Sequence, residues 1–249
     1  MKKHKQITMY GKLTKKYDAW SAWDTRLDTE IEFFEKLFKE NNIKNALDCA
    51  CGTGIHVIAL NKRGFSVSGS DIDKQMIQQA KQNAKLQKIN VNFKVSDFKN
   101  LNKTYNETFD AILCIGNSLS HILTDKDLQV SLDQMYRVLN KNGILILHLR
   151  NYQKMLKDKQ RFFAYRNNEE IFFYVWDFEP KQVVNVINYN LKDNKIETCS
   201  FNYNPIIKDK IVTFLKNSGF KKLQHFGDNK FKKFDLKKDN DLIIVCKKR

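Results

Sequence analysis

Asn45-Ala-Leu-Asp48 is a short apolar run that passes directly into Cys49-Ala-Cys-Gly-Thr-Gly54, after which Val57, Ile58 and Leu60 restart a helical period. The order is strand, glycine turn, helix. Residues without a Cβ permit a tight path, so a turn of this kind lets backbone N–H groups and a helix N-terminus approach a ligand closely. With Gly52 and Gly54 as the first two glycines of G-x-G-x-x-G, the third position falls on Val57. The pyrophosphate-binding pattern of dinucleotide sites therefore fails.

Outward from this turn the same texture repeats. Phe65-Ser-Val-Ser-Gly-Ser-Asp71 alternates as a second strand ending on a carboxylate, and Asp73 to Leu86 makes an amphipathic helix rich in lysine and glutamine. Val91 to Val95 supplies a third strand ending at Ser96-Asp97, and Phe109 to Ile115 a fourth. Leu128 to Leu139 is the following helix, capped around Asn142-Gly143, and Ile144 to Leu149 is a fifth strand. Strand–helix alternation at this pitch predicts a parallel, doubly wound α/β sheet of Rossmann-like kind.

Both flanks differ from this core. Tyr17 to Asn41 carries Trp20, Trp23, Leu27, Ile31, Phe34, Leu37 and Phe38 at spacings of three and four, which predicts a helix covering the core. After Arg161 the runs Ile171 to Phe178, Val183 to Leu191 and Ile196 to Tyr203 are aromatic and β-branched, separated by turn residues such as Lys192-Asp-Asn194. They predict an antiparallel insertion after the fifth strand. Lys208 to Ser218 reads as a helix ending at Gly219, with Phe220 to Phe226 and Leu242 to Cys246 as a final pair of strands. The 249 residues suit one domain, with a helical cover over 1–42, a core over 43–152, the insertion over 160–206 and the completing elements over 207–249.

An apolar fraction of 42% and only two prolines argue against long disordered linkers. The longest apolar stretch, Gly143 to Leu149, is too short for a bilayer, and the basic start is not followed by a signal-peptide core. Cys49, Cys51, Cys114, Cys199 and Cys246 form no Cys-x-x-Cys pair and have no histidine at metal-ligand spacing, so they read as reduced thiols of a cytoplasmic protein without a metal site. A net charge of +16 attracts polyanions whatever the fold, which keeps nucleic acid open as a partner. The lysines are nonetheless spread along helices and turns (Lys15, Lys62, Lys85, Lys126, Lys141, Lys192) with no nucleic-acid motif beside them, which favours a solvated surface.

Asp71 ends the second strand, where a carboxylate can accept both hydroxyls of a ribose, and Asp97 ends the next; either could instead cap the element that follows. Leu47-Asp-Cys-Ala-Cys-Gly-Thr-Gly54, followed by Gly64 to Asp71 and Met76, resembles the cofactor half of class I S-adenosylmethionine-dependent methyltransferases. Cys114-Ile-Gly-Asn-Ser-Leu-Ser-His121 and Arg150-Asn-Tyr152 resemble glycine N-methyltransferase and its sarcosine and dimethylglycine relatives. The likeness runs from about Tyr17 to Tyr152. It implies S-adenosyl-L-methionine as cofactor and S-adenosyl-L-homocysteine as its product. By resemblance, the Ala50 and Ile115 carbonyls meet the methionine amino group, Gly52 lies beside the cofactor and Asp71 takes the ribose. Met76, Asp97 and Phe98 frame the adenine, and Arg26 reaches the methionine carboxylate.

Methyl transfer from a sulfonium is an in-line displacement with a neutral leaving group, so positioning, worth roughly 7–11 kcal/mol, outweighs any single acid–base group. Arg150, at the carboxyl end of the fifth strand, suits a bidentate grip on an amino-acid carboxylate. Asn117, just past the fourth strand, suits orienting the same acceptor, and His121 suits bonding the cofactor or holding the loop. Phe172, Phe173, Tyr174 and Trp176 of the insertion either close over the acceptor or pack as core. The insertion matches the glycine-type enzymes poorly, and Trp20, Ser21 and Trp23 stand where the glycine enzyme has a tyrosine. The expectation is a monomer or homo-oligomer that methylates the nitrogen of a small, carboxylate-bearing amine. The alternatives are an RNA methyltransferase and a non-catalytic nucleotide-binding protein.

Overall fold

The computed structural model describes residues 23–167, 169–179 and 182–249, with the side chains of 23–26 outside the description. The part of the expected first helix before Trp23 is therefore outside the described residues. Helix α1 runs Trp23–Glu40 and leads into strand β1, Asn45–Asp48. The core continues with α2 (Ile55–Lys62), β2 (Ser66–Asp71), α3 (Lys74–Leu86), β3 (Phe93–Val95), the short α4 (Leu101–Thr104) and β4 (Phe109–Cys114). It ends with α5 (Asp125–Val138), β5 (Leu139–Arg150) and α6 (Tyr152–Asp158). Four strands follow, β6 (Phe162–Arg166), β7 (Glu170–Asp177), β8 (Val183–Asn190) and β9 (Ile196–Asn202). Helix α7 (Lys208–Asn217), β10 (Lys221–Phe226) and β11 (Asp241–Lys247) complete the chain.

Seven strands form one sheet in the order β10-β11-β5-β4-β1-β2-β3. β1 to β5 are parallel, while β11 runs antiparallel to both β5 and β10. From β1 the chain winds outward through β2 to β3, then returns to β4 on the other side and winds outward to β5. The order thus reverses between β1 and β4, and ligand crevices of doubly wound sheets open at the carboxyl ends of the strands at such a point.

Both faces of this sheet are covered, which explains the near-continuous apolar strands. Ala111, Leu113, Ile144, Ile146, Ile243 and Val245 face one layer, with α1, α2 and α3, among Phe34, Phe38, Val57, Leu60, Ile77 and Ala80. Ile112, Cys114, Leu145, Leu147, Ile244 and Cys246 face the other, with α5 and α7, among Leu128, Leu132, Met135, Ile211 and Leu215. Successive residues of each strand alternate between two cores, as the pleat requires.

Several boundaries differ from those expected. α5 starts at Asp125 because the Thr124 hydroxyl accepts the Asp127 N–H (3.1 Å), with Asp125 and Asp127 favourably placed in the first turn. β5 starts at Leu139 rather than Ile144. Leu139 pairs with Phe109, a register shift passes Asn140 to Gly143, and pairing resumes at Ala111 with Ile144. Gly143 is required there, since a Cβ would stand 2.9 Å from the Asn140 and Asp110 carbonyl oxygens. β3 is shorter than expected, and α6 and β6 extend the predicted set.

The second sheet, β6-β7-β8-β9, is wholly antiparallel, as expected of the insertion. One of its faces buries Phe172, Trp176, Val184, Val186 and Phe201, with Met155 of α6 packed against them. Its other face carries the exposed Phe162, Phe173 and Ile196. No helix among the described residues is long and apolar enough to cross a membrane.

Candidate functional site

The carboxyl ends of β1, β2, β4 and β5 meet at the reversal point, and the turns that leave them build the site. Beyond β1, the Cys49 N–H bonds to the Leu113 carbonyl of β4 and the Cys51 N–H to the Ser70 carbonyl of β2, both at 2.9 Å, so the turn is anchored on either side. Gly52 then takes φ 52° and Gly54 φ 83°, in the left-handed region that favours glycine. At Gly54 a Cβ would also stand 2.7 Å from the Phe93 ring.

Asp71 faces this turn from the end of β2. Its Oδ2 accepts the Gly52 N–H at 3.0 Å and its Oδ1 the Asp73 N–H at 2.9 Å. Burial pushes its carboxyl up to about 6, against the opposing pull of the Asp73 and Gly52 N–H groups. The carboxylate thus holds the turn and retains lone pairs for a ligand. Asp73, two residues on, caps α3 by accepting the Gln75 N–H at 2.8 Å.

Asp48 stands behind Asp71 and was not singled out by the sequence. Its Oδ1 accepts the Ala50 N–H at 3.1 Å, whereas Oδ2, though buried, has no hydrogen-bond partner among the described residues. Burial pushes this carboxyl up to about 7, with the Asp71 charge adding to the rise. Its position as the last residue of an apolar strand was legible; the burial was not. A buried carboxylate oxygen without a partner is one that a cationic ligand group would satisfy.

The remaining expected cofactor contacts distribute unevenly. Ala50 and Phe98 are half-buried against the second core, and Ile115 is buried in the first. The Ile115 carbonyl accepts the Ser118 hydroxyl at 2.8 Å. Asp97 caps a short turn by accepting the Lys99 N–H at 2.9 Å, which is the capping role weighed from sequence. Met76 is fully buried on α3. Arg26 lies on α1 with its side chain outside the described residues. The same helix is clamped to the first turn of α2 by Glu30 and His56, both buried, whose Oε2 and Nε2 lie 2.6 Å apart.

Across the crevice, the acceptor candidates converge on one side chain. Asn117 has φ 64°, a value asparagine tolerates, and is buried. Its Nδ2 donates to the Tyr152 hydroxyl at 2.9 Å, while its Oδ1 accepts the Ser120 hydroxyl at 3.0 Å and the Arg150 N–H at 3.1 Å. The ends of β4 and β5 and the start of α6 are thereby bracketed together. Tyr152 is fully buried; burial raises its hydroxyl, while Ser120, Asn117 and the Arg150 charge pull it down. Arg150 itself is exposed and makes no ion pair among the described residues.

Beyond the bracket lies the second sheet. The Asn204 N–H donates to the Ser120 carbonyl at 2.8 Å and its Nδ2 to the Ile122 carbonyl at 3.0 Å. The His121 ring packs 4.7 Å from Tyr203 and 5.7 Å from Phe201, and Tyr203 stacks 5.7 Å from Trp176. Burial lowers His121 to about 4, which leaves it neutral at physiological pH. Of the four aromatic residues weighed either as closing over the acceptor or as core, Phe172 and Trp176 pack in the sheet's core, Trp176 at the end of this stack. Phe173 faces the opposite, open side, and Tyr174 is half-buried. No group of three or more His, Cys, Asp or Glu suited to a metal occurs among the described residues.

Residues 46–143 match a family model described as a methyltransferase domain. The glycine/sarcosine N-methyltransferase of Aphanothece halophytica is 31% identical over 252 residues, covering 99% of this chain and 91% of that protein. The protein of the same name from Parasynechococcus marenigrum is 30% identical and covers 90% and 80%. Among solved structures, an S-adenosylmethionine-dependent methyltransferase from Clostridium acetobutylicum superposes with a TM-score of 0.80 at 21% identity, covering 96% of this chain and 98% of that one, which shows a shared fold.

Proposed function

Because the chain belongs to the S-adenosylmethionine-dependent methyltransferase family that includes the glycine/sarcosine N-methyltransferases, we propose that it methylates the nitrogen of a small amine bearing a carboxylate. S-adenosyl-L-methionine is its cofactor and supplies, when bound, an electrophilic methyl on a sulfonium. The residues at the reversal point fit that group. Asp71 offers a carboxylate for the ribose hydroxyls, and Gly52 leaves the turn open beside it. The unpartnered Asp48 oxygen and the carbonyls of Ala50 and Ile115 suit the ammonium, and the family resemblance assigns Asp97, Phe98 and Met76 to the adenine and Arg26 to the methionine carboxylate.

The observation that carries the acceptor reading is Arg150. Its backbone is fixed by Asn117 at the mouth of the crevice while its guanidinium has no ion-pair partner among the described residues. A guanidinium in that position grips a carboxylate through two parallel hydrogen bonds and leaves the amine to point along the crevice. Asn117 acts as a positioning residue through Arg150 and Tyr152. Orientation supplies most of the acceleration, since the amine needs only to be unprotonated and in line.

Incubation with methyl-labelled cofactor and a panel of glycine, sarcosine, dimethylglycine, other amines and tRNA tests the reading; a single labelled amine is expected, and label on tRNA alone would overturn it. In Arg150→Ala, the acceptor KM is expected to rise about 10- to 150-fold, the value of a charged hydrogen-bonded contact, with S-adenosyl-L-homocysteine affinity unchanged. An unaltered acceptor KM would remove the clamp.

A further inference from the structure

We propose that Lys81, Lys85 and Lys88 form a second binding site, for a small molecule that carries a phosphate group on a compact ring. It lies apart from the crevice. α3 starts beside the carboxyl end of β2 and runs back along the sheet; Lys81 and Lys85 belong to its far half, and Lys88 follows its cap. Together they line a surface cavity of about 400 Å³ whose floor is Ile89, Val91 and Phe93. Small-ligand sites occupy roughly 300–1,000 Å³, so the cavity is large enough for one. Phe93 closes its inner end, because the ring fills the space beside Gly54 and Gly69, where a Cβ would stand 2.7 and 2.6 Å from it.

The charge at this cavity is uncompensated. No acidic residue occurs between Asp73 and Asp97, a stretch that holds five lysines. No carboxylate lines the cavity, and Lys81, Lys85 and Lys88 make no ion pair among the described residues. The fold accounts for only one of the three: a lysine in the last turn complements the carboxyl end of the helix dipole, as Lys85 does. Lys81 stands one turn earlier, where its spacing of four from Lys85 is repulsive. Lys88 takes φ 56°, the left-handed conformation that closes the helix, with the Ile89 N–H bonded to the Ala84 carbonyl at 3.0 Å. Glycine is favoured at such a position, and lysine adopts it at a cost. Two positions thus hold a cation against local preference, beside an apolar floor.

Walls and floor together decide the ligand. Three ammonium groups around one cavity suit the concentrated negative charge of a phosphate monoester, which lysine binds as a point charge. Ile89, Val91 and Phe93 have no polar side-chain atom, so whatever rests on them must gain by leaving water. A flat ring joined to a phosphate meets both demands. Inorganic phosphate meets only the first, and an uncharged nucleoside only the second.

The test is calorimetry on the full chain with uridine 5′-monophosphate as the probe and S-adenosyl-L-homocysteine occupying the crevice. One nucleotide is expected to bind, with inorganic phosphate weaker and uridine silent. Lys81→Gln and Lys88→Gly are each expected to weaken the nucleotide about threefold to thirtyfold. Lys126→Gln, which removes the same charge from α5, is expected to leave its affinity unchanged. Lys88→Gly is also expected to raise Tm, because glycine relieves the left-handed residue; a lower Tm with unchanged nucleotide affinity would assign Lys88 to the fold and overturn the site. No nucleotide binding, or binding that Lys126→Gln weakens as much as Lys81→Gln does, overturns it too. A 5′-phosphorylated decauridylate separates a small ligand from a polynucleotide: affinity no higher than the mononucleotide's supports the site, and tighter binding sensitive to Lys126→Gln shows general attraction to a basic surface and overturns it. None of these readings requires turnover, so their failure leaves the methyl-transfer reading standing.

Discussion

The two sheets of this molecule solve the burial problem differently. In the seven-stranded sheet both faces are packed, so Leu145, Ile146 and Leu147 of β5 enter opposite cores in turn and are all fully buried. In the four-stranded sheet one face is packed and the other is open: Phe172 is 0% exposed, whereas its neighbour Phe173 is 42% and Phe162 is 67% exposed. The first sheet consequently anchors the turns that leave its strand ends, with Asp71 holding the Gly52 N–H. The second has one face free of packing constraint, and Asn204 and an aromatic column join it to the loop after β4.

The contrast can be broken most directly by substituting on its two faces. Phe172→Ala is expected to cost about 3–5 kcal/mol of unfolding free energy, read by denaturant titration, because it empties a packed site. A cost near zero would mean that the second sheet has no core of its own. Asp71→Ala sharpens the cofactor side. It removes a carboxylate that accepts two backbone N–H groups, and S-adenosyl-L-homocysteine affinity is expected to fall by about 1.5–3 kcal/mol in calorimetry. Burial holds the carboxyl of Asp71 up near 6, and on protonation it loses its charge and turns one of its two acceptor oxygens into a donor. Affinity in the wild-type chain is therefore expected to decline as pH drops through 6, and Asp71→Asn to flatten that decline. The smallest effect is expected at Phe162→Ser on the open face, within about 0.5 kcal/mol. A large loss there would show that the face is covered.

The same contrast governs how much could be read from the residues alone. The seven-stranded sheet was legible because burial on both faces imposes long apolar runs, and because Gly52, Gly54, Asp71 and Asp97 punctuate them at the strand ends. β6 was not: Phe162-Phe-Ala-Tyr-Arg166 is a short edge strand whose residues are mostly exposed, so no alternation marks it. α6 was missed because its start depends on the Asn151 side chain, which accepts the Lys154 N–H and also donates to the Leu236 and Asp239 carbonyls of a distant loop. The aromatic residues of the insertion were found as a group. Which of them turned to the packed face depended on the register of β7 against β8, and a one-residue change of register exchanges the faces. Asp48 and the Glu30–His56 clamp lacked a signal for the same reason, since pairing and burial between distant segments leave no local pattern.

The asparagine bracket has a bearing on motion. Because one amide ties the loop after β4 to the main chain of β5 and to the first residue of α6, any breathing of these two strands carries the Arg150 backbone along with that loop. The two strand ends and α6 thus share a common datum, and thermal drift of the scaffold cancels from the distances between them.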